Sequence, residues 1–192
     1  MIPDVEKIRQ AMADHNPLRN SRVSKRASVL IPLLESEGEI YVMLTRRSSE
    51  MRSHPGQVSF PGGKQDSDDE VSLQTALRET HEEIGLPGEK VDVIGMLDQI
   101  LSLHYYLVTP YVGLIPSDFV PVPNTDEIES VFKVPLAFFM KSENHWSEEK
   151  KIFSSLRHLL ELLLRQAGKY LKLSGHTGRK TGSVFLIRDK RC

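Results

Sequence analysis

Glu79, Glu82 and Glu83 lie close together in the run Arg78-Glu79-Thr80-His81-Glu82-Glu83-Ile84-Gly85-Leu86. On a helix, at about 100° per residue, the three carboxylates fall in one fan roughly 100° wide. Like charges so placed repel, by roughly 0.2–0.5 kcal/mol per i,i+4 pair on an exposed helix. A divalent cation reverses the sign of that interaction. Carboxylate oxygens are hard ligands, which suits Mg²⁺ or Mn²⁺ better than Zn²⁺. Arg78, four residues before Glu82, is placed to hold that carboxylate. Glu-rich helix faces are also common and often only solvated, so the surroundings must decide.

Upstream stands Pro61-Gly62-Gly63, where a backbone without side chains can bring carbonyls close to a metal. The acidic loop 66–70 follows. Residues 44–64 carry four positive charges, Arg46, Arg47, Arg52 and Lys64, against Glu50. A diphosphate needs positive charge beside its metal, and arginine grips phosphate with two parallel hydrogen bonds. Taken singly, each of these residues reads equally well as a surface cation. Alternation along a strand cannot turn both Arg46 and Arg47 to one face, so one of them serves structure or solubility.

These groups need elements to hold them. Residues 68–84 show helical periodicity, with Leu73, Ala76, Leu77, Thr80 and Ile84 on one face. Asp68, Asp69 and Glu70 suit that helix's N-terminus, and Gly85 with Pro87 stops it. Strands are expected at 27–34 and 39–45 around a turn at 35–38, at 91–101 and at 105–115, and residues 56–63 read as a short strand ending in a loop. Residues 4–13 read as a short polar helix, 14–26 as a basic lead-in, and 131–140 as a strand end running into a short helix. No repeat of 20–50 residues is present, which excludes a solenoid.

The box from Glu70 through Arg78-Glu79-Thr80-His81-Glu82-Glu83-Ile84-Gly85-Leu86 resembles that of the Nudix hydrolases. These enzymes cleave a nucleoside diphosphate linked to another moiety with Mg²⁺ or Mn²⁺. The family glycine six residues before the first glutamate is replaced by Lys64, and Gly63 makes the loop one residue longer. Residues 44–63, ending His54-Pro55-Gly56-Gln57-Val58-Ser59-Phe60-Pro61-Gly62-Gly63, resemble the signature ahead of the box in Nudix coenzyme A diphosphatases. Thr75-Ala76-Leu77-Arg78-Glu79-Thr80 and residues 124–136 look like that subfamily too.

The resemblance implies an α/β (α+β) fold, the Nudix α/β/α sandwich with a mixed sheet and a catalytic strand-loop-helix motif. It implies Glu79 and Glu83 as metal ligands, and Glu82 as a further ligand or as the group that orients the water. A carbonyl of Gly62 or Gly63 completes the shell. Glu127 is the downstream catalytic carboxylate, with Glu129 as the alternative. Arg47 and Arg52 contact substrate, joined by Lys64, while His54 either contacts phosphate or shapes its loop. The implied reaction is metal-assisted hydrolysis of coenzyme A or acyl-coenzyme A to 3′,5′-ADP and (acyl-)4′-phosphopantetheine. The rivals are another Nudix diphosphatase, for ADP-ribose, NADH or a nucleotide, and a non-catalytic binding protein of the same fold.

The resemblance covers about residues 27–140. Residues 1–26 are read as a lead-in, 27–145 as the domain core and 146–192 as a divergent basic segment. Residues 150–192 hold 11 basic and two acidic residues, in a chain of 192 whose formal net charge is only −1. There a helix is expected over 147–166 and strands over 170–173 and 183–187. The intervening Gly175-His176-Thr177-Gly178-Arg179-Lys180-Thr181-Gly182 fails the P-loop spacing and reads as a basic loop.

The single cysteine, Cys192, excludes an intramolecular disulfide and a cysteine metal site. No apolar run reaches the roughly 20 residues that span a bilayer. The first residues lack signal-peptide character. The resemblance implies a small-molecule substrate, coenzyme A or acyl-coenzyme A, as the partner, and neither nucleic acid nor a membrane is expected. The protein is expected to be a monomer or homodimer in the cytoplasm, with mitochondrion and peroxisome as the locations the family suggests.

Overall fold

The computed structural model describes residues 4–19, 23–102, 104–141 and 144. The helix expected at 147–166, the strands at 170–173 and 183–187, and the basic loop between them lie outside the described residues.

The first helix, α1 (Val5–Ala13), starts at Asp4, whose carboxylate accepts the Lys7 main-chain N–H at 2.9 Å. Strands β1 (Arg26–Ser36) and β2 (Glu39–Arg47) form a hairpin, and Glu37 and Gly38 both take positive φ in its turn. Two short strands follow, β3 (Val58–Ser59) and β4 (Gly62–Lys64), and then α2 (Ser72–Ile84). The chain continues through a 3₁₀ turn at Gly88–Lys90 into β5 (Asp92–Met96), β6 (Ile100–Leu101), β7 (Leu107–Leu114), β8 (Ile128–Pro135) and α3 (Leu136–Met140).

The strands form one mixed sheet. β1 runs parallel to β7 along Arg26–Leu33, and the other pairings are antiparallel. The edge of β1 away from β7 is shared. β4 takes its first half, Ala27 to Val29, and β2 takes its last, Leu33 to Ser36. The sheet therefore forks beside Gly62 and Gly63.

Period-two alternation gives β1 two apolar faces. Ile31 and Leu33 pack with Ile8 and Met12 of α1 and with Leu136 and Phe139 of α3. Leu30 and Leu34 pack with Met43 and with Ile84 of α2. Helices thus cover both faces, which is the expected α/β/α arrangement with a mixed sheet. The N-terminal stretch does more than lead in, because Ile8 and Met12 are 1% and 4% exposed.

Other bounds shift for physical reasons. The carboxylate-bearing helix α2 begins at Ser72 rather than at residue 68, because Asp69 folds back and accepts the Asp66 N–H and the Thr75 hydroxyl. Gln74 then reaches back to the Val71 N–H at 3.2 Å. The strand expected over 91–101 is two strands, since Leu97 N–H turns to the Pro110 carbonyl and Gln99 N–H to that of Leu18.

Candidate active site

The fork holds a loop that brings bare backbone against α2. A Cβ on Gly63 would fall on the Glu79 carboxylate, and one on Gly62 (φ +148°) on the Ser28 carbonyl and Val29. Only glycine allows this approach. The Gly62 N–H donates to Glu83 Oε2 at 3.1 Å. Glu83 is 4% exposed, and burial pushes its carboxyl pKa up to about 7. The Gly62 N–H and Arg47 partly offset that rise, while the carboxylates of Glu79 and Glu127 add to it. Burial also raises Glu79 above the ordinary carboxylate value.

Arg78 organises the acids around it. Its Nη1 donates to Glu79 at 3.0 Å and to Glu82 at 3.1 Å. Its Nε and Nη2 form a two-pronged contact with Asp69, at 3.2 and 2.9 Å. The guanidinium holds the Asp69 carboxyl well below the usual carboxylate range. Glu70 is exposed and makes no ion pair with a described residue. The extra loop residue is thus absorbed, since the six-residue step from glycine to acid runs from Gly63 to Asp69. Asp69 was not singled out from the sequence, although that step from Gly63 was a legible signal.

Arg46 and Arg47 part as alternation requires. Arg46 turns out to Glu129 at 3.7 Å. Arg47 turns inward, its Nη1 3.7 Å from Glu83, and its Nε is buried with no hydrogen-bond partner among the described residues. A bulge in the β2–β8 ladder between Arg46 and Arg47 accompanies this turn. The structure therefore brings Glu127 to Glu83 and leaves Glu129 on the outer face. Glu82 is 54% exposed and tied to Arg78.

Arg52 and His54 lie on an exposed loop. His54 takes a positive φ of 56°, and its ring meets His104 edge-on at 5.2 Å. Lys64 stands apart from the carboxylates. Its ammonium lies 5.6 Å from the centre of the Tyr106 ring. The four cations expected beside one site are therefore distributed, with Arg47 innermost.

A divalent cation fits this donor set. Two carboxylates, Glu79 and Glu83, are largely withdrawn from water beside the bare backbone of Gly62 and Gly63, and burial raises the pKa of both. Among the described residues no three carboxylate or imidazole groups are closed around one point. Mg²⁺ does not require that, because it keeps several waters and takes one or two carboxylates with substrate phosphate.

Residues 24–156 match the NUDIX domain. The chain belongs to the Nudix family. Peroxisomal coenzyme A diphosphatase NUDT7 of Mus musculus is 38% identical over 168 residues, which are 85% of this chain and 70% of that protein. Nudix hydrolase 15, mitochondrial, of Arabidopsis thaliana is 47% identical over 130 residues, 66% of this chain and 46% of that protein. The uncharacterized Nudix hydrolase NudL of Enterobacter sp. (strain 638) is 46% identical over 113 residues, 59% of this chain and 58% of that protein. The chain thus spans roughly half the length of two of these relatives.

Among solved structures, the MutT protein of Methanosarcina mazei Go1 matches with a TM-score of 0.55 and 21% identity, over 79% of this chain and all (100%) of that one. A C. elegans Ap4A hydrolase binary complex matches at 0.56 and 18%, over 73% and 96%. These establish the Nudix fold for the sheet and helices described above. Among the described residues no helix is long and apolar enough to cross a membrane.

Proposed function

We propose that this Nudix domain is a metal-dependent diphosphatase that hydrolyses the diphosphate bond of coenzyme A or acyl-coenzyme A, releasing 3′,5′-ADP and (acyl-)4′-phosphopantetheine. The observation that carries the metal-dependent part is the buried Glu83 carboxyl. It is hydrogen-bonded to Gly62, faces Glu79 and Glu127, and has Arg47 as its nearest cation. The substrate class rests on the 38% identity to the mouse coenzyme A diphosphatase and on the signature over residues 44–63.

Glu79 and Glu83, with a Gly62 or Gly63 carbonyl, hold Mg²⁺ or Mn²⁺. The bound ion would supply Lewis-acid stabilisation of the diphosphate and a lowered water pKa. Arg47 offers its unpaired Nε–H to a phosphate oxygen. Arg52 and His54 reach the substrate from their exposed loop. Glu127 takes the proton from the attacking water, and Glu82, steadied by Arg78, orients that water.

Mass spectrometry of products from coenzyme A with Mg²⁺ or Mn²⁺ tests the proposal. The expected result is 3′,5′-ADP and 4′-phosphopantetheine in equal amounts. A folded protein that leaves coenzyme A intact while cleaving ADP-ribose or NADH sinks the substrate assignment.

A further inference from the structure

Lys64 touches the carboxylate helix with its backbone and leaves it with its side chain. Its carbonyl accepts from Arg78 Nη2 at 3.3 Å. Gly63, one residue earlier, faces Glu79, and strand alternation sends the next side chain to the other side. There the Lys64 ammonium lies 5.6 Å from the Tyr106 ring centre, and the Lys25 ammonium lies 5.7 Å from the same centre.

Three segments far apart in the chain converge to make this cluster. Ala27 of β1 is the register partner of both Lys64 in β4 and Val108 in β7, and the Lys25 carbonyl accepts the Leu107 N–H at 2.9 Å. Each ammonium is attracted to the ring. Neither has a carboxylate partner among the described residues. Lys133 makes the ordinary version of this contact, alone over Tyr41 at 4.7 Å, with the Tyr41 hydroxyl bonded to Glu39. At Tyr106 no acid balances the pair, so the cluster carries two positive charges in want of an anion. It adjoins the carboxylate helix without facing the carboxylates.

We propose that Lys25 and Lys64, set on Tyr106, bind a phosphate monoester that the substrate carries in addition to the diphosphate that is cleaved. Ammoniums are compact point charges and suit a freely turning monoester dianion, whereas the fork of Arg47 suits the diphosphate. The assignment rests on the reading of the domain as a coenzyme A diphosphatase. Coenzyme A carries such a group at its ribose 3′ position, and ADP-ribose and NADH carry none. The cluster then selects among diphosphates.

The test has two arms, both on the full chain. In the first, calorimetry measures binding of 3′,5′-ADP and of 5′-AMP. Wild type binds 3′,5′-ADP about ten-fold more tightly, Lys25→Gln brings the two together, and Lys133→Gln keeps the preference. Equal binding by wild type, or an equal loss for both nucleotides in Lys25→Gln, overturns the proposal. In the second, kcat/KM for coenzyme A is divided by that for 3′-dephospho-coenzyme A. The ratio falls about ten-fold in Lys25→Gln. A wild-type ratio near one overturns the phosphate site and leaves the diphosphatase reading standing. An intact 3′,5′-ADP preference with no cleavage of either coenzyme supports the phosphate site and sinks the diphosphatase reading.

Discussion

Glu83 keeps its carboxyl out of water beside two other carboxylates, and that has a cost in the absence of metal. Its folded pKa is raised from the ordinary carboxylate value of 4.5 to about 7. The folded state therefore favours the protonated form. The stability this contributes is fully present below pH 4.5 and lost as pH rises through about 7. Glu83→Gln does not ionise, so in chelator the wild type loses on the order of 2–3 kcal/mol relative to this variant between pH 5 and 8. Thermal unfolding across that range checks this, and Mg²⁺ restores the wild type alone. The same variant loses turnover by about a hundred-fold or more, with circular dichroism unchanged. Gly63 acts on the neighbouring Glu79 carboxylate by shape. A methyl group there meets the end of the flexible Glu79 side chain, which can swing aside. Gly63→Ala therefore costs about 1 kcal/mol or less in stability, yet raises the Mg²⁺ concentration for half-maximal activity several-fold.

At the scale of the element, α2 and its loop work as one unit because Asp69 pins Arg78 through two hydrogen bonds, and Arg78 spreads to Glu79 and Glu82. Asp69→Asn weakens this pin and lowers stability by about 1–2 kcal/mol at pH 7, while the exposed Glu70→Gln changes it by less than about 0.5. The Asp69 carboxyl is held below its ordinary value of 3.8, so its contribution is present above that pH and fades as pH falls further. Denaturant titrations at pH 7 and pH 3 separate the two variants. The helix itself was legible from its apolar spacing and from Gly85, which takes φ +72° at the C-cap. Its start was not legible, because Asp69, which looks like a first-turn residue, is held outside the helix by Arg78 and Thr75.

At the scale of the molecule, α1 closes one face of the sheet. Ile8→Ala or Met12→Ala costs about 2–4 kcal/mol each, while Leu18→Ala, 73% exposed, costs little. Urea unfolding with a single transition checks that α1 unfolds with the sheet. A polar helix of nine residues reads in the sequence only as part of a lead-in, since its two buried apolar residues are too few to announce a core element. Their burial depends on the β5 surface, where Gly95 leaves room for Met12.

Local chemistry was written in the chain. The spacing of Glu79, Glu82 and Glu83, the paired glycines before them, the turn at 35–38 and the alternation that parts Arg46 from Arg47 are all local features of the sequence, which operate between near neighbours. Tertiary structure decided which acid holds Arg78, which arginine faces Glu83 and how far burial raises the Glu83 carboxyl. It also decided that Lys25, Lys64 and Tyr106 meet. Those outcomes depend on desolvation and on the pairing of β1 with β4 and β7, and neither is a property of any short stretch of sequence.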